Sequence, residues 1–516
     1  MSNEGLIVSA LQLTDPALAA AIDAPNSWRI GIKTRASRVA KYRRYERGDH
    51  DANITTQMRK MLRLPSGDTS NLTDFNINYT KIVIDKMAGR LKVSEIAVKD
   101  QTGQAYIEEL TTRNDFTAFQ GTMFRGAIRD GDSYAMVDPQ TLKWTSEPAY
   151  DGFSGIVAIF NPMQDYPAWA CKVWSEADTK DLAGEDPAST VTMRLMVYQP
   201  GRITHWKGQM NAQEVEPVML AQEQGGQPVS ENEMTWPLGF VPVIHFANSA
   251  DNYTKYGESE IRVAVPAQDV LNRTLHSMVM ASEFAAFKVS WSIGMEVDKS
   301  GIAPGDVINL VLTDPAGAIV TEMTEQQIEF LKAVRVGEFE ATDISQYTNQ
   351  LSDITKHISQ VTQTPIYGIT AEGNLSGEAL KQLEIGLIGK CVRFQNENSA
   401  AIKLLIELTA AIQAAFDTGL GQPPALDGIS VNWASPEILD ATAAVASILA
   451  IREKAPGLFD DDFIRARIGA LLGMTQSQIA EESDKAKNAQ GFMLDSLTGA
   501  AGNVPPGQRP AKGQAI

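Results

Sequence analysis

Few residues in this sequence have both the type and the spacing to do chemistry. Gly389-Lys390 has the glycine-lysine pair of a phosphate-cradling loop, but lacks the upstream glycine and the hydroxyl residue such a loop uses. The five histidines, His50, His205, His245, His276 and His357, are scattered without ligand spacing, and no His-Glu-x-x-His occurs. Asp460-Asp461-Asp462 gathers three carboxylates, which suits a helix N-terminus, where negative charge is favoured, better than a metal site. Asp130-Gly131-Asp132 reads as a turn before a strand and lacks the rest of a calcium loop. Spacing picks out no Ser/His/Asp set. The sequence gives no positive argument for catalysis, and no metal or cofactor is expected.

Arg35, Arg38, Lys41, Arg43, Arg44 and Arg47 crowd one segment together with Tyr42 and Tyr45. Cations interleaved with aromatics can grip nucleic acid. A solvated helix face that pairs with an acidic neighbouring subunit is the preferred reading. Cys171 and Cys391, the only cysteines, read as two buried free thiols in a reducing compartment.

The elements that would carry these residues follow from patterning. Residues 376–420 contain no proline and carry an apolar stripe at Leu380, Leu383, Leu387, Cys391 and Phe394, resuming at Ala401, Leu405, Leu408 and Ile412. Steps of three and four place these on one helix face, and the helix would run about 65 Å at 1.5 Å per residue. Gln395-Asn396-Glu397-Asn398-Ser399 interrupts the stripe, where a bend or a change of packing partner is expected. Thr324-Glu325-Gln326-Gln327 is a capping-box pattern opening a second long helix. Its residues Ile344, Tyr347, Leu351, Ile354, Ile358 and Val361 form a coiled-coil-like seam.

Residues 1–63, 76–91 and 102–129 also read as helical. Between 131 and 248 the texture changes to short β-forming runs, at 134–137, 156–160, 170–174, 191–198, 203–206 and 241–246, expected as an antiparallel meander. Residues 209–233 read as a loop or hairpin excursion. Pro266 suits the first turn of a helix reaching about Lys288, and 289–320 reads as a small β-containing insertion. Helices are expected at 436–454, 461–472 and 476–489. The Gly-, Pro- and Gln-rich end from Gly499 reads as disordered.

Bulk composition bounds the function class. At 516 residues, with 43% hydrophobic and 21% charged residues, the chain can bury several cores. Forty-five Lys+Arg against 63 Asp+Glu leave a net charge of −18, which argues against a surface that clamps nucleic acid everywhere. The opening Met-Ser-Asn-Glu lacks the basic region of a signal peptide, and the most apolar run, 443–451, is too short to span a bilayer. No membrane association is expected, and the protein is expected to be soluble and intracellular where it is made.

Four stretches carry a family resemblance. They are Tyr42-Arg43-Arg44-Tyr45-Glu46-Arg47-Gly48-Asp49-His50; Gly257-Glu258-Ser259-Glu260-Ile261 continuing through Val265-Pro266-Ala267-Gln268-Asp269-Val270-Leu271-Asn272; Ala281-Ser282-Glu283-Phe284-Ala285-Ala286-Phe287; and Thr364-Pro365 followed by Asn374-Leu375-Ser376-Gly377-Glu378-Ala379-Leu380-Lys381. In the third, Lys288 stands where relatives often have proline. In this order the chain resembles the portal proteins of tailed bacteriophages, in the gp6-like branch common in phages of actinobacteria.

That resemblance implies an α+β, mainly α, portal fold. Its wing would occupy 1–256, its stem helices 257–287 and 326–362, and its clip 288–325. A tunnel loop would follow at 363–375, then a spine helix and wing at 376–430, a crown at 431–490 and a disordered tail at 491–516. The resemblance also implies a dodecameric ring of identical subunits at one capsid vertex, with double-stranded DNA passing through its channel. Tunnel-loop residues Ile366, Tyr367, Gly368, Glu372, Gly373 and Asn374 would face the DNA. Clip residues Val307, Asn309 and Val311 would dock the terminase large subunit and, later, a head-completion or adaptor protein. Major capsid and scaffolding proteins would be further partners, and the finished location would be the virion. The rival readings are another ring-forming head-tail adaptor and an enzyme on a helical scaffold.

Overall fold

The computed structural model describes residues 11, 31–50, 76–161, 163–176, 190–211, 217–218, 232–252, 255–286, 290–293, 324–333, 335–338, 343–365, 377–416, 419–437, 441–454, 460–471, 478–479 and 481–485. Its helices are α1 (Ile32–Arg47), α2 (Tyr79–Ala88), α3 (Gln101–Arg113), α4 (Phe116–Asp130), α5 (Val265–Ala286), α6 (Glu325–Ala333), α7 (Ser345–Val361), α8 (Gly377–Ala415), α9 (Ala441–Lys454) and α10 (Asp461–Leu471). Its strands are β1 (Val93–Ala97), β2 (Asp132–Val137), β3 (Trp144–Pro148), β4 (Gly155–Ile159), β5 (Trp169–Glu176), β6 (Thr190–Gln199), β7 (Arg202–Asn211), β8 (Pro217–Val218), β9 (Asn232–Thr235), β10 (Val243–Ala247), β11 (Ser290–Ile293), β12 (Arg335–Glu338) and β13 (Ser430–Trp433). The fold is α+β and mainly α. No helix among the described residues is long and apolar enough to cross a membrane.

The chain divides into two compact units, one made of Met1–Ala40, Asp85–Ser259 and Leu387–Ile516, the other of Lys41–Ile84 and Glu260–Gly386. The segment 41–84 thus groups with 260–386, while the wing that the resemblance implies spans 1–256.

In the first unit the β-forming runs make two sheets where one meander was expected. Strands β4, β5, β6, β7 and β8 follow one another in antiparallel order, with β9 pairing β7. Residues 209–233 therefore include strand-paired ends of a hairpin excursion. Strand β2 instead lies between β10 and β3 in a separate three-stranded sheet. A strand at 144–148 was not foreseen, and nor was the pairing of β1 with β13.

The β4–β6 face buries Val157, Ile159, Trp169, Cys171, Val173, Met193, Leu195 and Val197 with Ala36 and Leu11. Alternation along β6 places Met193, Leu195 and Val197 on that one face. Cys171 is buried and free, as expected, and its thiol is pushed far above the ordinary value by burial alone. Cys391 is likewise buried and free.

From Leu387 onward the stripe of α8 is buried at Leu387, Cys391, Phe394, Ala401, Leu405, Leu408 and Ile412. The side chains of Leu380 and Leu383 lie outside the described residues. The polar stretch 395–399 does not break the helix. It marks a change of partner: Asn398 exchanges hydrogen bonds with the backbone of Ala247 at 3.1 and 2.9 Å. Gln395 donates to Ala434 O at 3.2 Å, and the Trp433 indole donates to Ser399 at 2.8 Å. A polar side chain on a buried helix face needs such partners. Phe124 packs between Phe246, Phe394 and Trp433 at centroid distances of 6.3, 5.4 and 5.2 Å. One ring thus meets a strand, the helix and the β13 end.

In the second unit, Tyr79, Ala264, Leu271 and Ile358 form the core, with Leu351 and Ile354 of the predicted seam packed against it. Val361, the last seam residue, is 39% exposed. The single helix expected from 326 to 362 is divided. α6 ends at Ala333, and β12 pairs antiparallel with β11 before α7 begins. β-branched Val336 and Gly337 both weaken a helix locally, and pairing with the distant Ser290–Ile293 offers the backbone a ladder instead. A strand paired with β11 thus lies beyond 320, where the β-containing insertion was expected to end. Asp343 accepts hydrogen bonds from the Ser345 backbone and hydroxyl at 2.9 and 2.6 Å, and so secures the start of α7.

Candidate functional site

The proposed DNA-facing residues Ile366, Tyr367, Gly368, Glu372, Gly373 and Asn374 lie outside the described residues, as do the proposed clip residues Val307, Asn309 and Val311. The structure does describe most of the motif stretches; polar side chains of the first two meet in one buried constellation, and the Gly257 backbone at the head of the second borders another, one constellation in each unit.

The first is centred on Asp132. α4 ends at Gly131 with φ 93°, a conformation that favours glycine, and the next residue opens β2. Gly131 also lies against Gly257: a Cβ at 257 would stand 1.9 Å from the Gly131 carbonyl oxygen. The glycine at the head of the second motif is thus required by backbone contact. Asn248 N donates to Gly131 O at 2.9 Å and Glu258 N to Asn248 O at 2.7 Å, stitching the segments together.

Inside this stitch the buried Asp132 carboxylate accepts from the Arg35 guanidinium, from His245 Nε2 at 2.7 Å and from Gly257 N at 2.7 Å. Arg35 stacks 3.2 Å above the Tyr256 ring. His245 lies between Tyr134 and Phe160, with centroids at 5.2 and 4.6 Å. Burial alone would raise the Asp132 pKa, but Arg35, then His245 and the Gly257 N–H, outweigh it and hold the carboxyl below its ordinary range. Burial also pushes the Tyr134 and Tyr256 phenols up. The adjoining cavity, lined by Ile32, Ala36, Val39 and Tyr150 among others, measures about 30 Å³, room for roughly one water. Three donors already hold the carboxylate and solvent does not reach it, so the constellation is built to fasten rather than to react.

Arg35 therefore leaves the solvated basic face on which sequence reasoning put it. Tyr42 and Tyr45 leave it as well, because both are buried. Arg38 and Arg47 are exposed, as expected of that face. The Asp130-Gly131-Asp132 stretch is the turn before a strand that its sequence predicted.

The second constellation joins the first two motifs. Gln268 and Asn272, one turn apart on α5, are fully buried on the same helix face. Gln268 accepts from Tyr79 N at 3.0 Å and donates to Ile77 O at 2.5 Å. Asn272 accepts from Ile77 N at 3.0 Å and faces His50 Nδ1 through its amide nitrogen at 2.9 Å. The Tyr45 hydroxyl donates to Asp269 at 2.5 Å. From the other side, Asn78 donates to the carbonyls of Tyr45 and Glu46 at 3.1 and 3.0 Å, and Thr80 to that of Tyr45 at 3.0 Å. The amides of one helix thus read the backbone of the 77–79 segment, which in turn caps the end of α1. Groups of three or more His, Cys, Asp or Glu that could hold a metal are absent among the described residues.

Sequence reasoning found these motif residues by resemblance but missed their mutual contacts and the role of His245. A buried polar residue within an apolar run, as Gln268 is before Val270 and Leu271, was the available signal.

Residues 31–468 match the family described as phage portal protein, SPP1 Gp6-like. The portal protein of Mycobacterium phage D29 is 22% identical over 276 residues, which are 53% of this chain and 54% of that protein. The chain thus spans about half the length of the curated relative it matches. Chains from the virion of a native gene transfer agent particle and from the neck of the native particle computed with C12 symmetry are similar at TM-scores of 0.38, with 13% and 14% identity. The first similarity covers 75% of this chain and 88% of the other, the second 81% and 94%. That likeness is too low to add to the family match. The matched range takes in all four motif stretches and both constellations, and the chain belongs to the SPP1 Gp6-like family of phage portal proteins.

Proposed function

We propose that this portal protein forms a closed homo-oligomeric ring, dodecameric in the particle, at one vertex of a phage capsid, and that double-stranded DNA is packaged and ejected through its channel. The family match over 31–468 carries this reading. That family is a structural one, and no catalytic role is assigned.

In this reading α5 and α7 belong to the stem, the region around β11 and β12 to the clip, α8 to the spine, and α9 and α10 to the crown. Apolar side chains left exposed on these elements support it: Val270 on α5 is 49% exposed, Ile385 on α8 64% and Phe463 on α10 53%. Neighbouring subunits would cover such faces, as isologous or ring-forming contacts do. The clip, with Val307, Asn309 and Val311, would dock the terminase large subunit and then a head-completion protein. Capsid and scaffolding proteins would meet the rest of the rim, during assembly in the host cytoplasm and then in the virion.

The net charge of −18 suits a conduit. Clustered cations would hold DNA through counterion release and raise the barrier to each step. A mostly negative wall repels phosphates evenly, over a Debye length of about 8 Å.

Shortening the chain between Tyr367 and Gly373 tests the DNA-facing assignment in an in vitro packaging assay with assembled proheads. The expected result is normal incorporation of the ring with impaired packaging or retention of protected DNA. Wild-type packaging and retention would overturn the assignment, and loss of the ring would make the segment a structural connector.

A further inference from the structure

The Asn272 amide has only one orientation that fits its surroundings. Ile77 N–H can only donate, so the atom facing it at 3.0 Å must be the Asn272 oxygen. The amide nitrogen then faces His50 Nδ1 at 2.9 Å, and a side-chain NH₂ can only donate. Nδ1 must therefore accept. His50 is thereby fixed as the neutral tautomer with its proton on the other ring nitrogen, Nε2. Its ring is 2% exposed and rests against Tyr45, with centroids 4.9 Å apart.

We propose that His50, Asn272 and the Ile77 amide form a proton-sensitive lock, closed only while the imidazole is neutral, that ties the end of α1 and the 76–80 segment to α5. A proton arriving at Nδ1 puts donor against donor at the Asn272 amide. Rotating that amide by half a turn would satisfy His50, but it sets the NH₂ against the Ile77 N–H. One hydrogen bond is lost either way, in a largely buried site: the one to Nδ1 if the amide stays, or the one from the Ile77 backbone if it turns. No covalent step is involved.

The charged groups facing the imidazole are Asp269 on α5 and Asp49 on its own loop, while Asn78 and Asn272 are uncharged. Burial outweighs the Tyr45 backbone hydrogen bond and the two carboxylates, which draw the proton in, and pushes the His50 pKa below its ordinary 6.5. The sign follows from that direction. A group whose folded pKa is depressed contributes in full above its unfolded value. Its contribution falls as pH drops below about 6.5, where the open state takes up the proton first.

Hydrogen exchange of the full-length protein, read as the protection factor of the Ile77 amide between pH 7.5 and 5, tests the lock. In the wild type, protection should fall below pH 6.5 by up to about tenfold per pH unit. His50→Asn keeps an acceptor near the Nδ1 position and cannot titrate, so its protection should stay flat. Asn272→Asp accepts from both a charged His50 and Ile77 N–H, so its protection should hold or rise on acidification. Wild-type protection that does not change with pH would overturn the lock. So would a fall of the same size in His50→Asn, or an unaltered wild-type profile in Asn272→Asp.

Discussion

The two buried constellations solve the same problem with different chemistry. In one unit a charge is buried: Asp132 is held by a guanidinium, an imidazole and a backbone N–H. In the other, the fully buried side chains Gln268 and Asn272 are neutral, and each couples to the backbone entering α2. Each fastens segments far apart in sequence, Arg35 to Asp132 and Ile77 to Asn272. A buried charge is costly to strand, so it makes a strong but brittle fastener. Amides give less per bond, but geometry fixes every donor and acceptor. The buried polar residues of both constellations are therefore fasteners whose failure modes differ, rather than reactive groups.

The largest expected effect breaks the charged side of this comparison. Arg35→Met keeps most of the side chain's length and volume but removes Asp132's main counter-charge, and should cost about 3–5 kcal/mol in urea unfolding. A loss below about 1 kcal/mol would mean that His245 and Gly257 N–H suffice to hold the carboxylate.

A smaller effect is expected from the neutral side. Gln268→Ala leaves the Tyr79 N–H, 3.0 Å from its lost acceptor, without a partner, and should cost about 1–3 kcal/mol by the same measurement. Equal losses from the two variants would erase the distinction between charged and neutral fasteners.

The finest expected difference is in pH. Asp132 has a depressed pKa, so its contribution is intact above its ordinary 3.8 and is lost as pH falls through the lowered value. His50, with an ordinary value of 6.5, begins to lose its contribution much earlier. Acid titration followed by hydrogen exchange should therefore loosen the unit containing α5 before the unit containing β2. Simultaneous loosening would contradict the assignment of the two titrating groups.

What the sequence disclosed follows the range of its interactions. The α8 stripe was legible because a helix repeats its buried face every three or four residues, and Leu387, Cys391, Phe394, Leu405, Leu408 and Ile412 are all buried. All six β-forming runs fall on observed strands, but 203–206 stops five residues short of the end of β7 at Asn211, and 134–137 and 241–246 are each displaced by two residues at their start. The partition of strands into sheets was hidden, because β1 pairs with β13 and β2 with β10 across long stretches of chain that leave no local pattern. The break at β12 was hidden for the same reason: its partner β11 lies beyond any periodicity window. Asp132, Arg35 and His245 each had an ordinary local explanation, and only the fold shows that they share one site. The motif stretches were identified by resemblance, while the hydrogen bonds that require Gln268 and Asn272 emerged from the structure.

The central claim is that this chain is a ring-forming portal subunit, and sedimentation velocity of the purified full-length protein tests it most directly. The exposed apolar residues of α5, α8 and α10 should be covered by neighbouring copies. The expected result at micromolar concentration is a single large species with the mass of a closed ring. A stable, folded monomer under those conditions would contradict the account.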